Sequence, residues 1–371
     1  MIKRSITQSI ERDFGKGKII VVLGARQVGK TTLFDDITNQ YDSVLRLNCD
    51  DYDDQMLLTN RTSTELRELI NGHSIVVIDE AQKVRNIGLT LKQIADLKLK
   101  TQVLVTGSSS LELANEINEP ATGRLFEYHL FPLSLAEMAQ HTSQREEHRL
   151  LEQRMIYGLY PEVVTHHEDA RRLLTNLTNN YLYRDLLSYK GIKKPDLLQR
   201  LVRALALQIG CEVSYNELSS LIGIDKATVE NYIDLLEKCF VIFRLPSFSR
   251  NMRSEIKKGK KIYFYDNGIR NALISNFAPL AMRTDTGALW ENLLISERMK
   301  RNIYNGGFTQ MYFWRTQQQQ EIDLIEEQDG RLSAYEFKWN KSKARLPKTF
   351  QENYPEVGLN VINQENYTTF V

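Results

Sequence analysis

The most constraining stretch of this chain is the apolar, β-branched run Ile19-Ile-Val-Val-Leu23, which ends directly in Gly24-Ala-Arg-Gln-Val-Gly-Lys-Thr31. That octapeptide fits GxxxxGK[ST], and it lies between a strand-like run and a helix-compatible segment, as the pattern needs. Gly24 and Gly29 permit backbone conformations that turn successive N–H groups inward around phosphates. A helix beginning near Lys30 aims its positive end at the same place. Lys30 can reach β and γ phosphates, the Thr31 hydroxyl can ligate Mg²⁺, and Thr32 is a weaker neighbour. Gly24, Ala25, Arg26, Gln27, Val28, Gly29, Lys30, Thr31 and Thr32 are therefore the expected phosphate-holding segment. The plainer alternative is a glycine turn that merely joins strand to helix.

Three further runs, Ser43–Leu47, Ile75–Ile78 and Val103–Thr106, are short and apolar, as in parallel strands buried on both faces. Helical stretches at Thr31–Thr38, Ser63–Asn71 and Leu89–Leu97 separate them, which predicts an α/β domain over residues 1–140. The run Ile75-Val-Val-Ile-Asp-Glu80 places two carboxylates at a strand end. An Asp there is costly unless it holds a cation or a partner. Asp79 is expected to hold Mg²⁺ through water, and Glu80 to orient and deprotonate an attacking water. A helix N-cap pair is the alternative. The fourth run ends in Thr106-Gly-Ser-Ser-Ser110, where Ser108, or else Thr106, can hydrogen-bond the γ-phosphate or the water. A serine-rich helix cap competes with that reading.

In this order the motifs continue with Thr122-Gly-Arg124, then Phe131-Pro-Leu-Ser134 with Glu137. The whole resembles the AAA+ ATPases. It looks most like a prokaryotic family of ATP-binding proteins that join such a domain to a C-terminal restriction-endonuclease-like domain of PD-(D/E)xK type. The resemblance extends over the chain and includes Tyr183-Arg-Asp185 and the turn Gly158-Leu-Tyr-Pro161, where Leu159 replaces a second glycine usual in the family. It implies ATP and Mg²⁺ as cofactors. It also implies Arg124 as an arginine finger or sensor, in its own subunit or across an interface of a homo-oligomer. A surface pair with Glu127 is the alternative for Arg124. Arg184 is either a second sensor or one half of a helix-surface ion pair.

Residues 141–210 read as helical: Leu150, Leu151 and Met155 recur at helical spacing, as do Leu173, Leu174, Leu177 and Tyr181. In residues 211–284, Ser214-Tyr-Asn-Glu217 fits a capping box, followed by Leu218, Leu221 and Ile222 on one helical face. Gly223 ends that helix. Asp225 caps a second one, with Val229, Ile233 and Leu236 on its core stripe and Lys226, Thr228 and Asn231 outward. Strand-like runs Val241–Phe243 and Ile262–Tyr265 flank Arg250, Arg253, Lys257, Lys258, Lys260 and Lys261, with Glu255 opposing. A helix-turn-helix beside a hairpin with a basic tip resembles a winged helix. The loop from Arg250 to Lys261 could then neutralise DNA phosphates. Glu230, Asp234 and Glu237 weigh against DNA, and a lid or protein-interaction module is the competing reading.

In residues 285–371, Glu291 falls in an amphipathic helix, and Met311–Trp314, Glu321–Ile325 and Ala334–Lys338 read as strands. Glu336 and Lys338 share a strand face. Glu291, Asp323, Glu336 and Lys338 match the PD-(D/E)xK arrangement, in which carboxylates hold Mg²⁺ and the lysine serves the attacking water. They are a candidate second metal site; ordinary strand charges, or a nuclease-like fold that no longer cuts, are the alternatives. Gln317–Gln320 reads as a hairpin turn.

The expected fold class is thus α/β: an AAA+-like P-loop parallel-sheet domain, a helical and winged-helix-like segment, and a small α/β restriction-endonuclease-like domain. Composition narrows the function. Lys plus Arg number 48 against 47 Asp plus Glu, a net charge of +1, which excludes a tail-driven nucleic-acid binder while leaving room for a basic patch. No apolar run approaches the ~20 residues of a membrane span, and Cys49, Cys211 and Cys239 form no CxxC pair. The cytoplasm is the expected compartment, with no membrane partner. His166-His167 lack partners at ligand spacing. The leading expectation is an ATP-hydrolysing protein that couples nucleotide state to an interaction, plausibly with DNA. An ATP-gated metal-dependent nuclease and a nucleotide-switched scaffold with little turnover are the alternatives.

Overall fold

Five consecutive apolar residues cannot alternate between core and water, and β1 (Ile19–Leu23) is accordingly buried along its whole length. The computed structural model describes residues 1–107, 123–182, 194–249 and 259–371. The chain divides into two units, one mainly of residues 3–132 and the other of 133–237 and 241–371.

In the first unit β1 pairs in parallel with β4 (Gln102–Gly107) on one side and β5 (Leu125–His129) on the other. With β2 (Val44–Asn48) and β3 (Ile75–Asp79) the order is β2-β3-β4-β1-β5. The helices Lys30–Thr38, Ser63–Ile70 and Ile87–Asp96 fall where the periodicity predicts them. Thr62 and Glu65 close the Ser63–Ile70 helix with a reciprocal capping box. β5 was not announced by any apolar run: Leu-Phe-Glu-Tyr-His mixes charge with aromatics, as suits a half-exposed edge strand.

The second unit opens with the Leu135–His141 helix, where Ser134 and Glu137 form a second reciprocal box with Glu137 buried. Gly158 follows the Leu151–Tyr157 helix at φ +69°, and a Cβ there would lie 2.0 Å from Asp266 Oδ1. Leu159, next in the turn, is buried, and its N–H donates to Asp266 Oδ2 at 2.6 Å. Helices Pro195–Leu207, Tyr215–Ile222 and Lys226–Lys238 accompany an antiparallel sheet of β6 (Glu212–Val213), β7 (Ile242–Pro246) and β8 (Lys260–Phe264), in the order β6-β8-β7. Gly223 is left-handed at φ +81°, Asp225 accepts from the Thr228 N–H at 2.8 Å, and Val229, Ile233 and Leu236 are fully buried. Leu221 departs from expectation: it is 55% exposed, because Leu218 and Ile222 alone carry the buried stripe of its helix.

The rest of this unit packs the long Thr286–Tyr304 helix with β9 (Gln310–Arg315), β10 (Glu321–Gln328), β11 (Arg331–Phe337) and β12 (Leu359–Ile362), ordered β12-β11-β10-β9. Thr316 N–H to Gln320 O, at 3.0 Å, closes the hairpin turn between β9 and β10. Phe248, Tyr312, Ile322, Ile325, Ala334 and Phe350 form a core on this sheet. Among the described residues, no helix is long and apolar enough to cross a membrane.

Candidate functional site: the phosphate loop and a second charged centre

The loop after β1 needs two of its residues in left-handed backbone, Gln27 at φ +61° and Gly29 at φ +95°. Gly24 is required for a different reason: a Cβ there would lie 2.2 Å from the Leu130 carbonyl oxygen. Val28 is buried beneath the loop, and Arg4 braces it, donating to Val28 O at 2.7 Å and Phe131 O at 2.6 Å. Lys30 is 5% exposed, and its Nζ donates to the Gly24 and Ala25 carbonyls, each at 3.0 Å. Thr31 and Thr32 lie at the exposed start of the helix.

β3 and β4 bring the remaining groups to the same carboxyl end of the sheet. Thr31 Oγ1 donates to Asp79 Oδ2 at 2.7 Å, while the Thr106 hydroxyl donates to Asp79 Oδ1. The Glu80 N–H donates to Thr106 Oγ1 at 3.0 Å and to Asp79 Oδ1 at 3.1 Å. Glu80 is left-handed at φ +52°, and its Oε2 accepts from Gln82 Nε2 at 2.5 Å. Burial first, then the carboxylates of Asp54 and Asp79, push the neighbouring Cys49 thiol up to about 12. Thr106 is thus placed against both carboxylate residues, whereas Ser108 lies outside the described residues, as do Tyr183-Arg184-Asp185.

Arg124 is placed elsewhere. Ile19 pairs with Leu125 and Leu23 with His129, so Arg124 stands where β1 begins, and the phosphate loop stands where β1 ends. Arg124 Nε pairs with Asp96 Oδ1 at 2.7 Å, at the end of the Ile87–Asp96 helix, while Glu127 pairs with His129.

The C-terminal set gathers on the second unit's sheet and long helix. Asp323 is 9% exposed and accepts from the Phe337 N–H at 2.7 Å. Burial, then Glu291 and Glu336, raise its carboxyl well above the ordinary range. Lys338 pairs with Glu336 at 2.7 Å. Three members were not foreseen: Lys261 pairs with Glu291 at 2.9 Å and with Glu321, and Tyr263 donates to Glu291 Oε1 at 2.6 Å. Burial opposes the charge on Lys261, but Glu291, Glu321 and Asp323 hold its ammonium on. This corrects the expectation that Lys261 joins a basic DNA-facing tip: its side chain is 2% exposed and its charge is spent inside the protein. Lys260 begins β8; Arg250, Arg253, Lys257 and Lys258 lie outside the described residues. Among the described residues, no group of three or more His, Cys, Asp or Glu is disposed to hold a metal.

Comparison with known proteins points to an ATPase-like N-terminal fold. Residues 16–139 match the AAA domain family, and residues 148–280 and 286–369 match two domain families of unknown function. An uncharacterized protein of Mycobacterium tuberculosis is 25% identical over 341 residues, covering 91% of this chain and 74% of its own. One of Haemophilus influenzae is 23% identical, covering 80% and 77%. The solved Walker-type ATPase of Pyrococcus abyssi is similar in fold, with a TM-score of 0.53 at 15% identity, over 74% of this chain and 96% of that one. The N-terminal unit thus has the parallel-sheet fold of the Walker-type ATPase, and helical and small-sheet segments follow it.

Proposed function

We propose that the protein binds ATP with Mg²⁺ at Gly24–Thr32 and hydrolyses it. The observation that carries this reading is the joined set Thr31, Asp79, Thr106 and Glu80 at the mouth of the phosphate loop. The Thr31 hydroxyl and the Asp79 carboxylate are oxygen donors of the kind Mg²⁺ takes, so these residues fit the ion. When bound, Mg²⁺ neutralises phosphate charge. Lys30 exchanges its two carbonyl partners for phosphate oxygens. Glu80 takes the proton of the attacking water, and its carboxylate is held for this by Gln82. The Thr106 hydroxyl fixes Asp79 and the Glu80 backbone together. Ser108 remains our candidate for a bond to the γ-phosphate. Arg124 serves hydrolysis only in the site of a neighbouring copy. The test is Glu80→Gln: ATP binding persists and turnover falls by about 10²–10⁴. Unchanged turnover would remove Glu80 as the base.

A second reading concerns DNA. Helix, short strand, two helices and a two-stranded hairpin, with sheet order β6-β8-β7, support a winged helix in residues 195–264. Asp234 and Glu237, which weigh against DNA in the sequence, are both paired with Arg244. Lys226 and Asn231 are exposed on the second helix of the turn. Duplex affinity should fall with salt and weaken for Lys226→Ala with Asn231→Ala; no binding at low salt removes this reading.

A further inference from the structure

The carboxylates expected to hold a second metal already face a cation of this chain. Lys261 comes from β8, yet its ammonium lies 2.9 Å from Glu291 Oε1 on the Thr286–Tyr304 helix and also pairs with Glu321 at the start of β10. Its Nζ sits 5.6 Å from the centre of the Phe313 ring. Tyr263, two residues on and so on the same strand face, donates to the same Glu291 oxygen. Glu336 is taken by Lys338, and one oxygen of Asp323 by the Phe337 N–H. A divalent ion needs several of these oxygens turned to one point and free of other donors. The residues present therefore do not fit the metal.

We propose that the Lys261 ammonium is the resident cation of this centre, in place of a divalent metal, and that the cluster is a charged joint fastening β8 to the Thr286–Tyr304 helix and to β10. Buried carboxylates need a counter-charge close by. A tethered ammonium supplies one without losing translational freedom, whereas a metal ion must shed water and meet a like charge. This inference stands apart from the nucleotide site.

Mn²⁺ binding to the full chain, followed by electron paramagnetic resonance without nucleotide, tests it. All proteins carry Asp79→Asn, so that the phosphate-loop carboxylate contributes nothing. With Lys261 in place, no Asp323-dependent Mn²⁺ site is expected up to about 1 mM. Adding Lys261→Ala removes the ammonium from among Glu291, Glu321 and Asp323 and should tighten Mn²⁺ binding about tenfold or more; adding Asp323→Asn should cancel the gain. Stoichiometric Mn²⁺ with Lys261 present, lost on Asp323→Asn, overturns the proposal. So does a folded Lys261→Ala protein that gains nothing. If Lys261→Ala fails to fold, the titration with Lys261 intact, against Asp323→Asn, still decides.

Discussion

Arg124→Ala separates an arginine that acts in its own subunit from one that cannot. β1 and β5 run parallel in register over five residue pairs, and Arg124 precedes the first pair while the phosphate loop follows the last. At ~3.3 Å per residue the two ends are about 16 Å apart. An arginine side chain spans roughly 7 Å by its bond lengths. The shortfall is larger than a rotamer change can close. In a lone subunit the substitution removes the solvent-exposed pair with Asp96, a surface contact that contributes little. An arginine acting on the transferred phosphoryl group is worth about 10³–10⁵ in rate. The assay is single-turnover ATP hydrolysis at protein concentrations shown by light scattering to be monomeric. The rate should stay within about twofold of the unsubstituted protein. A thousand-fold loss that is independent of protein concentration would refute the placement of Arg124. A loss that grows with concentration would assign it to a neighbouring copy's site.

Gly158→Ala should destabilise the second unit, since its backbone region costs about 1–3 kcal/mol for other residues and the new Cβ collides with Asp266; a urea melt superimposable on the original would contradict this. Cys211 is exposed, while Cys49 and Cys239 are buried and the Cys49 thiol is held near 12. One thiol per native chain should therefore react with a disulfide reagent at pH 8, and a second fast-reacting thiol would sink the account of that edge. Burial raises the Asp285 carboxyl, but hydrogen bonds from Arg283 and Arg270 bring it down to about 2. A depressed carboxyl contributes stability above its ordinary value, lost as pH falls toward 2. Asp285→Asn should flatten the pH dependence of unfolding between about 4 and 2, and an unaltered slope would show that the pair does not couple to folding.

The phosphate loop and the Asp79-Glu80 strand end were legible because their chemistry is local: consecutive residues set both the backbone and the side chains. β1, β3 and β4 were legible because burial along nearly their whole length demands apolar runs; β2 was legible from Val44, Leu45 and Leu47, but it is not buried on both faces as expected, since Arg46 lies exposed in its middle. β5 was hidden because Leu125-Phe-Glu-Tyr-His129 mixes charge with aromatics and is only half-buried. The position of Arg124 depends on strand register, which no motif reports. Lys261 was misread as a solvated tip charge because a lysine at the start of a strand is ordinarily exposed. The alternation of Lys261, Tyr263 and Tyr265 on one face was the available signal, and Glu321 two residues before Asp323 was the matching one. Asp266, which holds the Gly158 turn from about a hundred residues away in sequence, carried no signal at all.

The most direct measurement is calorimetric titration of the folded protein with ATP and Mg²⁺, beside Lys30→Ala. One nucleotide should bind per chain, and the substitution should abolish the heat. Folded protein that shows no heat at millimolar nucleotide, or a Lys30→Ala chain that binds equally well, would contradict the assignment of Gly24–Thr32.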